Sequence, residues 1–196
     1  MISHKHKFLF VHINKTAGTS IEKCLIHYCE NFKKKHQSIE ELNEEANFNP
    51  DYFKFTFVRN SWDRCLSLYK YRVKTNQTNL RSDPVSFKEW IKNIYAKNPK
   101  YYNTPNKNQL LMLSEQLDWI TNKAGDVDMD FIGRFESLQE DFDVVCDKIG
   151  IPQQELPHVH RTNHRHYTEY YDDETRELVA RKYAKDIEYF GYEFGE

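Results

Sequence analysis

Residues Lys7 to Ser20 read KFLFVHINKTAGTS, and this stretch decides the fold. Lys7 to Ile13 is a short run of apolar, aromatic and β-branched residues with no helical spacing, which predicts a buried strand. It runs into a turn containing Gly18. Beyond the turn, Ile21, Cys24, Leu25 and Tyr28 recur at i, i+3, i+4 and i+7, which predicts a helix with Thr19 or Ser20 capping its first amides. Lys54 to Arg59 (KFTFVR) repeats the arrangement. A second strand leads through a short loop to a helical stripe of Trp62, Cys65, Leu66, Tyr69 and Val73.

Working outward, residues 30 to 50 are polar and charged and predict a loop with a short helix. From Thr75 to Pro105 the chain is polar and broken by prolines around a helix at Phe87 to Tyr95, with another helix expected across Leu110 to Ile120. Phe131 to Phe135 is a third strand. Ser137-x-x-Glu140 then has the form of a capping box opening a helix striped by Leu138, Phe142, Val145 and Ile149, which Gly150 and Pro152 stop. Asp172 caps a last helix carrying Val179, Tyr183, Ile187 and Phe190 on one side. Strands alternating with helices predict an α/β fold: P-loop-like, three-layered, with a central parallel sheet flanked by helices and ligands at the carboxyl ends of the strands.

A length of 196 residues favours one domain, 1–196, over two small ones, since domains average about 150 residues. Within it, residues 75–125 read as an acceptor-side insertion and residues 156–171 as a lid loop. With 28 Lys and Arg against 30 Asp and Glu, the net charge of −2 supplies no global field for nucleic acid, so any anion site is local. The four cysteines show no CxxC pair or zinc spacing, which suits reduced thiols in a cytoplasmic protein. Cys24, Cys65 and Cys146 fall on apolar faces and read as small core residues. The apolar run Phe8 to Val11 is too short for a signal peptide, and no segment reaches membrane-spanning length. A glycan on the Asn14 sequon would block the loop it lies in, which points the same way.

The chemistry begins in that loop. His12 to Ser20 joins a strand to a helix, where unpaired amides and the helix dipole favour an anion. Lys15 adds a full charge, and Thr19 and Ser20 add hydroxyls. Lys15 precedes Gly18 by three positions, whereas a Walker A loop places its lysine after the last glycine. The second strand ends on Arg59, whose fork suits phosphate, where a magnesium-dependent nucleotide hydrolase would want an acid. With Ser67 on the following helix, the pattern predicts two anion sites, as a donor phosphorylated at both ends requires.

HINKTAGTS resembles the 5'-phosphosulfate loop of sulfotransferases that use 3'-phosphoadenosine 5'-phosphosulfate (PAPS), usually PKTGGTS, and FTFVRNSWDRCLSLY resembles their 3'-phosphate motif. FIGRFESLQEDF and YYDDETRELVARKYAKDIEYFGYEF resemble the carbohydrate branch and its compact bacterial relatives. The resemblance implies Lys15 near the bridging oxygen, Thr16, Ala17, Gly18, Thr19 and Ser20 cradling the 5' end, and Arg59 and Ser67 on the 3'-phosphate. It implies PAPS as donor, 3'-phosphoadenosine 5'-phosphate (PAP) as product, and a hydroxyl-bearing acceptor, in this branch a carbohydrate. Asn14 stands where the family usually has Pro, and Ala17 replaces the first Gly of the GG pair, so the loop is expected either to be less rigid or to hold its φ angles differently.

In-line transfer needs a base for the acceptor hydroxyl and a cation for the leaving phosphate, and Lys15 supplies the cation without a metal. KKHQSIEEL resembles the family's KHxTxxEL-like stretch, which makes His36 the candidate base, with Glu40 and Glu41 as fallbacks; the competing reading is a solvated surface histidine. His158, His160, His164 and His166 alternate with Arg161 and Arg165. Alternate histidines in a loop lack a metal site's fixed geometry, so a basic lid is expected, with Arg161 or Arg165 on the 3'-phosphate. Asp126-x-Asp128-x-Asp130 lacks the glycine and glutamate of a calcium loop and reads as a polar turn. Trp90, Tyr95, Tyr101 and Tyr102 could stack on sugars, though aromatics in helices are more often core. Two other functions fit the phosphate motifs: a non-catalytic PAPS- or PAP-binding module, and a P-loop nucleotide kinase.

Overall fold

A computed structural model of the chain describes residues 1–30, 36–47, 49–96, 113–157 and 165–196. In chain order its elements are β1 (Ile2–Ser3), β2 (Phe8–Val11), α1 (Gly18–Leu25), α2 (Ile39–Glu45), β3 (Phe53–Val58), α3 (Ser61–Thr75), α4 (Phe87–Tyr95), α5 (Leu117–Ile120), β4 (Phe131–Arg134), α6 (Leu138–Ile149), α7 (Asp173–Lys182) and α8 (Ala184–Phe190). They form two compact units, one of residues 1–59 and 116–161, the other of 60–115 and 162–196.

The first unit holds the sheet, in the order β1-β2-β3-β4. β2, β3 and β4 are parallel, with Phe8 opposite Phe53 and Phe55 opposite Phe131. β1 adds an antiparallel edge that the sequence reading did not foresee. Because strand side chains alternate, Phe8, Phe10, Phe55 and Phe57 share one core with Ile21, Cys24 and Leu25 of α1 and Phe142, Val145, Cys146 and Ile149 of α6. Each such aromatic, fully buried, contributes about 1.5–3 kcal/mol relative to an exposed position. α2 packs on β2 and on α5, where Ile39, Leu42, Trp119 and Ile120 are buried. The α/β fold with its mostly parallel sheet therefore matches the expectation.

The second unit is helical. Trp62, Cys65 and Leu66 of α3 pack with Phe87, Trp90, Ile91 and Ile94 of α4 and with Tyr167, Tyr171, Val179 and Tyr183. α4 spans the predicted residues, and Trp90 and Tyr95 belong to this core. Among the described residues no helix is long and apolar enough to cross a membrane. Cys24, Cys65 and Cys146 are buried free thiols, and Cys29 is half-buried.

Four local expectations are corrected. α1 is not capped by Thr19 or Ser20, which lie inside it; its N-cap is Ala17, in the left-handed region at φ 66°. The Ser137–Glu140 capping box does not form, because Asp141 captures both the Ser137 hydroxyl (2.8 Å) and the Arg134 amide (2.6 Å). Of the helix expected across Leu110 to Ile120, the described residues contain only Leu117–Ile120. The last helix is capped by Asp172 as predicted, its carboxylate accepting from the Thr175 amide at 2.9 Å, but it breaks at Tyr183 into α7 and α8.

Candidate functional site

The loop between β2 and α1 turns tightly by placing two non-glycine residues at positive φ, Lys15 at 68° and Ala17 at 66°. The Ser20 amide donates to the Ala17 carbonyl at 2.8 Å, which closes the first turn of α1. The amides at Gly18 and Thr19 have no acceptor within the helix and suit an anion. The Thr16 hydroxyl is buried and donates to Ile13 O (2.9 Å), so that proton is used within the loop. Lys15, Ala17 and Thr19 are half-buried, whereas Thr16, Gly18 and Ser20 face inward.

Arg59, immediately beyond β3, reaches this loop. Its Nη1 donates to the Lys15 main-chain carbonyl at 3.2 Å, and its guanidinium lies 3.8 Å from the Phe135 ring centroid. Its main chain is held by Gln116, whose side-chain amide accepts from Arg59 N (2.9 Å) and donates to Arg59 O (2.9 Å). Gln116 thus completes the backbone pairing that β3 loses at its end. The sequence contains no local signal for this contact, which spans 57 residues.

His36 lies beside the end of β2. Its Nδ1 donates to the His12 carbonyl at 3.0 Å, its ring centroid is 4.4 Å from that of His12, and Trp119 meets it edge-on at 6.2 Å. The fallback residues have structural duties. Glu41 closes a capping box with Ser38 at the start of α2, and Glu40 accepts from the Lys123 amide at 2.9 Å.

Sequence reasoning overlooked His12 and Glu22, both buried. His12 Nδ1 donates to Glu22 Oε1 at 2.7 Å. Burial pushes the His12 pKa below its ordinary value, against the opposing hydrogen bond and charge of Glu22. The His12 ring also explains Gly18: a Cβ there would land on Cδ2 and Nε2 of the imidazole.

The other predicted site residues lie apart in the chain. Ser67 is half-buried on α3 of the second unit. Arg165 is exposed and pairs with Glu169 at 3.4 Å. Arg161 lies outside the described residues, as do His158, His160, His164, Tyr101 and Tyr102. Of the expected lid, Tyr167 and Tyr171 are buried in the second core. In the Asp126–Asp130 turn, Asp128 pairs with Lys54 at 2.8 Å and Asp130 accepts from the Lys54 amide.

The family model described as Sulfotransferase family matches residues 1–193. The chain belongs to the sulfotransferase family. The chain is 31% identical over 106 residues to an uncharacterized protein of Archaeoglobus fulgidus, a match covering 53% of this chain and 72% of that one. It is also similar to the crystal structure of a sulfotransferase from Alicyclobacillus acidocaldarius, at 18% identity and a TM-score of 0.43. That match covers 76% of this chain, and the chain spans 56% of that structure's length.

Proposed function

We propose that this sulfotransferase moves a sulfuryl group from PAPS to a hydroxyl of a carbohydrate acceptor, without a metal. The observation that carries the reading is the meeting of Lys15 and Arg59 at neighbouring strand ends, 3.2 Å apart through the Lys15 carbonyl. The donor set suits a doubly anionic nucleotide: a helix start with orphan amides, an ammonium and a planar fork. In this reading Lys15 and residues Thr16 to Ser20 receive the 5' end and Arg59 the 3'-phosphate, and the family resemblance adds Ser67 and Arg161 or Arg165 as ligands of that phosphate. PAPS supplies a sulfuryl group on a phosphate leaving group.

The chain's own part is to orient and to move a proton. His36 takes the hydroxyl proton on Nε2 as the acceptor oxygen bonds to sulfur. The bond from sulfur to the bridging oxygen breaks, its electron pair leaves with PAP, and Lys15 neutralises the charge arriving there. The products are a sulfate ester, PAP and the proton on His36. Buried free thiols at Cys24, Cys65 and Cys146 support a cytoplasmic setting. Residues 75–125 are the proposed acceptor side.

Titration calorimetry with PAP tests the reading. The wild type is expected to bind and Lys15→Ala to lose at least tenfold in affinity; absence of PAP binding by the wild type would refute it. Incubation with radiolabelled PAPS and a cell extract then identifies the acceptor by the label it takes up.

A further inference from the structure

We propose that His12 and Glu22 are positioning residues for His36, holding it as the tautomer protonated on Nδ1 so that Nε2 is the basic nitrogen offered to the acceptor. The inference rests on the reading of His36 as the base. A carbonyl oxygen only accepts, so the 3.0 Å contact between His36 Nδ1 and His12 O requires the proton on Nδ1. In the neutral ring Nε2 then carries the lone pair. The same residue touches His36 a second time, through its own imidazole at 4.4 Å and 58°. One hydrogen bond and one ring contact, both from His12, therefore set the proton position and the plane of the candidate base.

His12 can serve only if it is itself fixed, and three neighbours fix it. Glu22, from the middle of α1, accepts from His12 Nδ1 at 2.7 Å, with side chains only 5% and 7% exposed. Phe10 stacks nearly parallel to the ring, 5.9 Å away at 13°. Gly18, having no Cβ, leaves the space the ring fills. A buried carboxylate is costly unless hydrogen-bonded, and core packing alone would accept a leucine at position 22. His12 and Glu22 flank the phosphate loop in the chain, and the His12 ring lies against Gly18 of that loop, so the base and the donor loop share one support.

The test uses the full chain and two readouts. Long-range 15N–1H imidazole spectra report which nitrogen of His36 holds the proton, and PAP release from PAPS, with water or a mixture of desulfated glycosaminoglycans as the hydroxyl source, reports turnover. The wild type is expected to show His36 protonated on Nδ1. Glu22→Ala should mix the His36 tautomers and lower kcat about ten- to a hundredfold, part of the roughly 10²–10⁴ a general base supplies, with PAP affinity within about threefold of wild type. Glu22→Gln, whose Oε1 can still accept from His12, should recover most of the loss. Should Glu22→Ala fail to fold, Glu22→Asp takes its place, since its carboxylate is one methylene short.

A wild-type His36 protonated on Nε2 overturns the positioning role. So does undiminished turnover in Glu22→Ala or Glu22→Asp, or a loss of PAP affinity that accounts for the whole loss of turnover. In each case a dead His36→Ala leaves the base reading standing. Normal turnover in His36→Ala overturns the base reading itself and the role with it.

Discussion

Arg59 hydrogen-bonds through Nη1 to the carbonyl of Lys15, so the cations proposed for opposite ends of one nucleotide are mechanically joined. Removing the guanidinium withdraws one proposed phosphate ligand and also releases the loop that carries the other.

Arg59→Lys is therefore expected to weaken PAP binding at least tenfold, because an ammonium can neither form the fork nor stack on Phe135. In a double-mutant cycle by calorimetry, Lys15→Ala and Arg59→Ala should be non-additive by about 0.5–3 kcal/mol, the usual range for residues in contact. Strict additivity would mean that the two cations act independently.

Gln116→Ala removes the side chain that pairs with both the amide and the carbonyl of Arg59 in a buried position. An unsatisfied buried group costs about 1–3 kcal/mol. Urea unfolding should accordingly show a loss of about 2–3 kcal/mol, together with weaker PAP binding because Arg59 is no longer aimed.

Ala17 occupies the left-handed region with a side chain that disfavours it. That conformation costs an L-residue about 1–2 kcal/mol, while glycine costs about 0.4–1 kcal/mol more unfolded-chain entropy. Ala17→Gly, which restores the family's GG pair, should raise stability by about 0.5–1 kcal/mol and leave PAP affinity unchanged. A lower urea midpoint would contradict the strain argument.

His12 gives stability a pH dependence. Burial lowers its pKa most; the hydrogen bond and charge of Glu22 raise it, and His36 and the Met1 amino group lower it. With the folded value below the ordinary 6.5, the unfolded chain binds the proton first. The contribution is whole above the unfolded value and is lost as pH falls through the folded one. The slope of stability against pH below 6.5 should be shallower in His12→Asn by at most about 1.4 kcal/mol per pH unit, the limit for one proton.

The sequence by itself determined the elements and the charges. Aromatic and β-branched runs placed β2, β3 and β4 within a residue or two, the helical periods placed α1, α3 and α6, proline punctuation bracketed α4, and Lys15 and Arg59 stood out as cations at strand ends. These are local properties, since a period reports which face of a segment is apolar whatever it packs against. The tertiary structure alone decided that Asp141 rather than Glu140 serves Ser137, that Gln116 supports Arg59 across 57 residues, and that Gly18 is glycine because His12 lies over it. It also decided that His36 Nδ1 meets a carbonyl 24 residues away. Such contacts form only when the chain closes in space, and no spacing along the sequence encodes the distance between atoms on different elements.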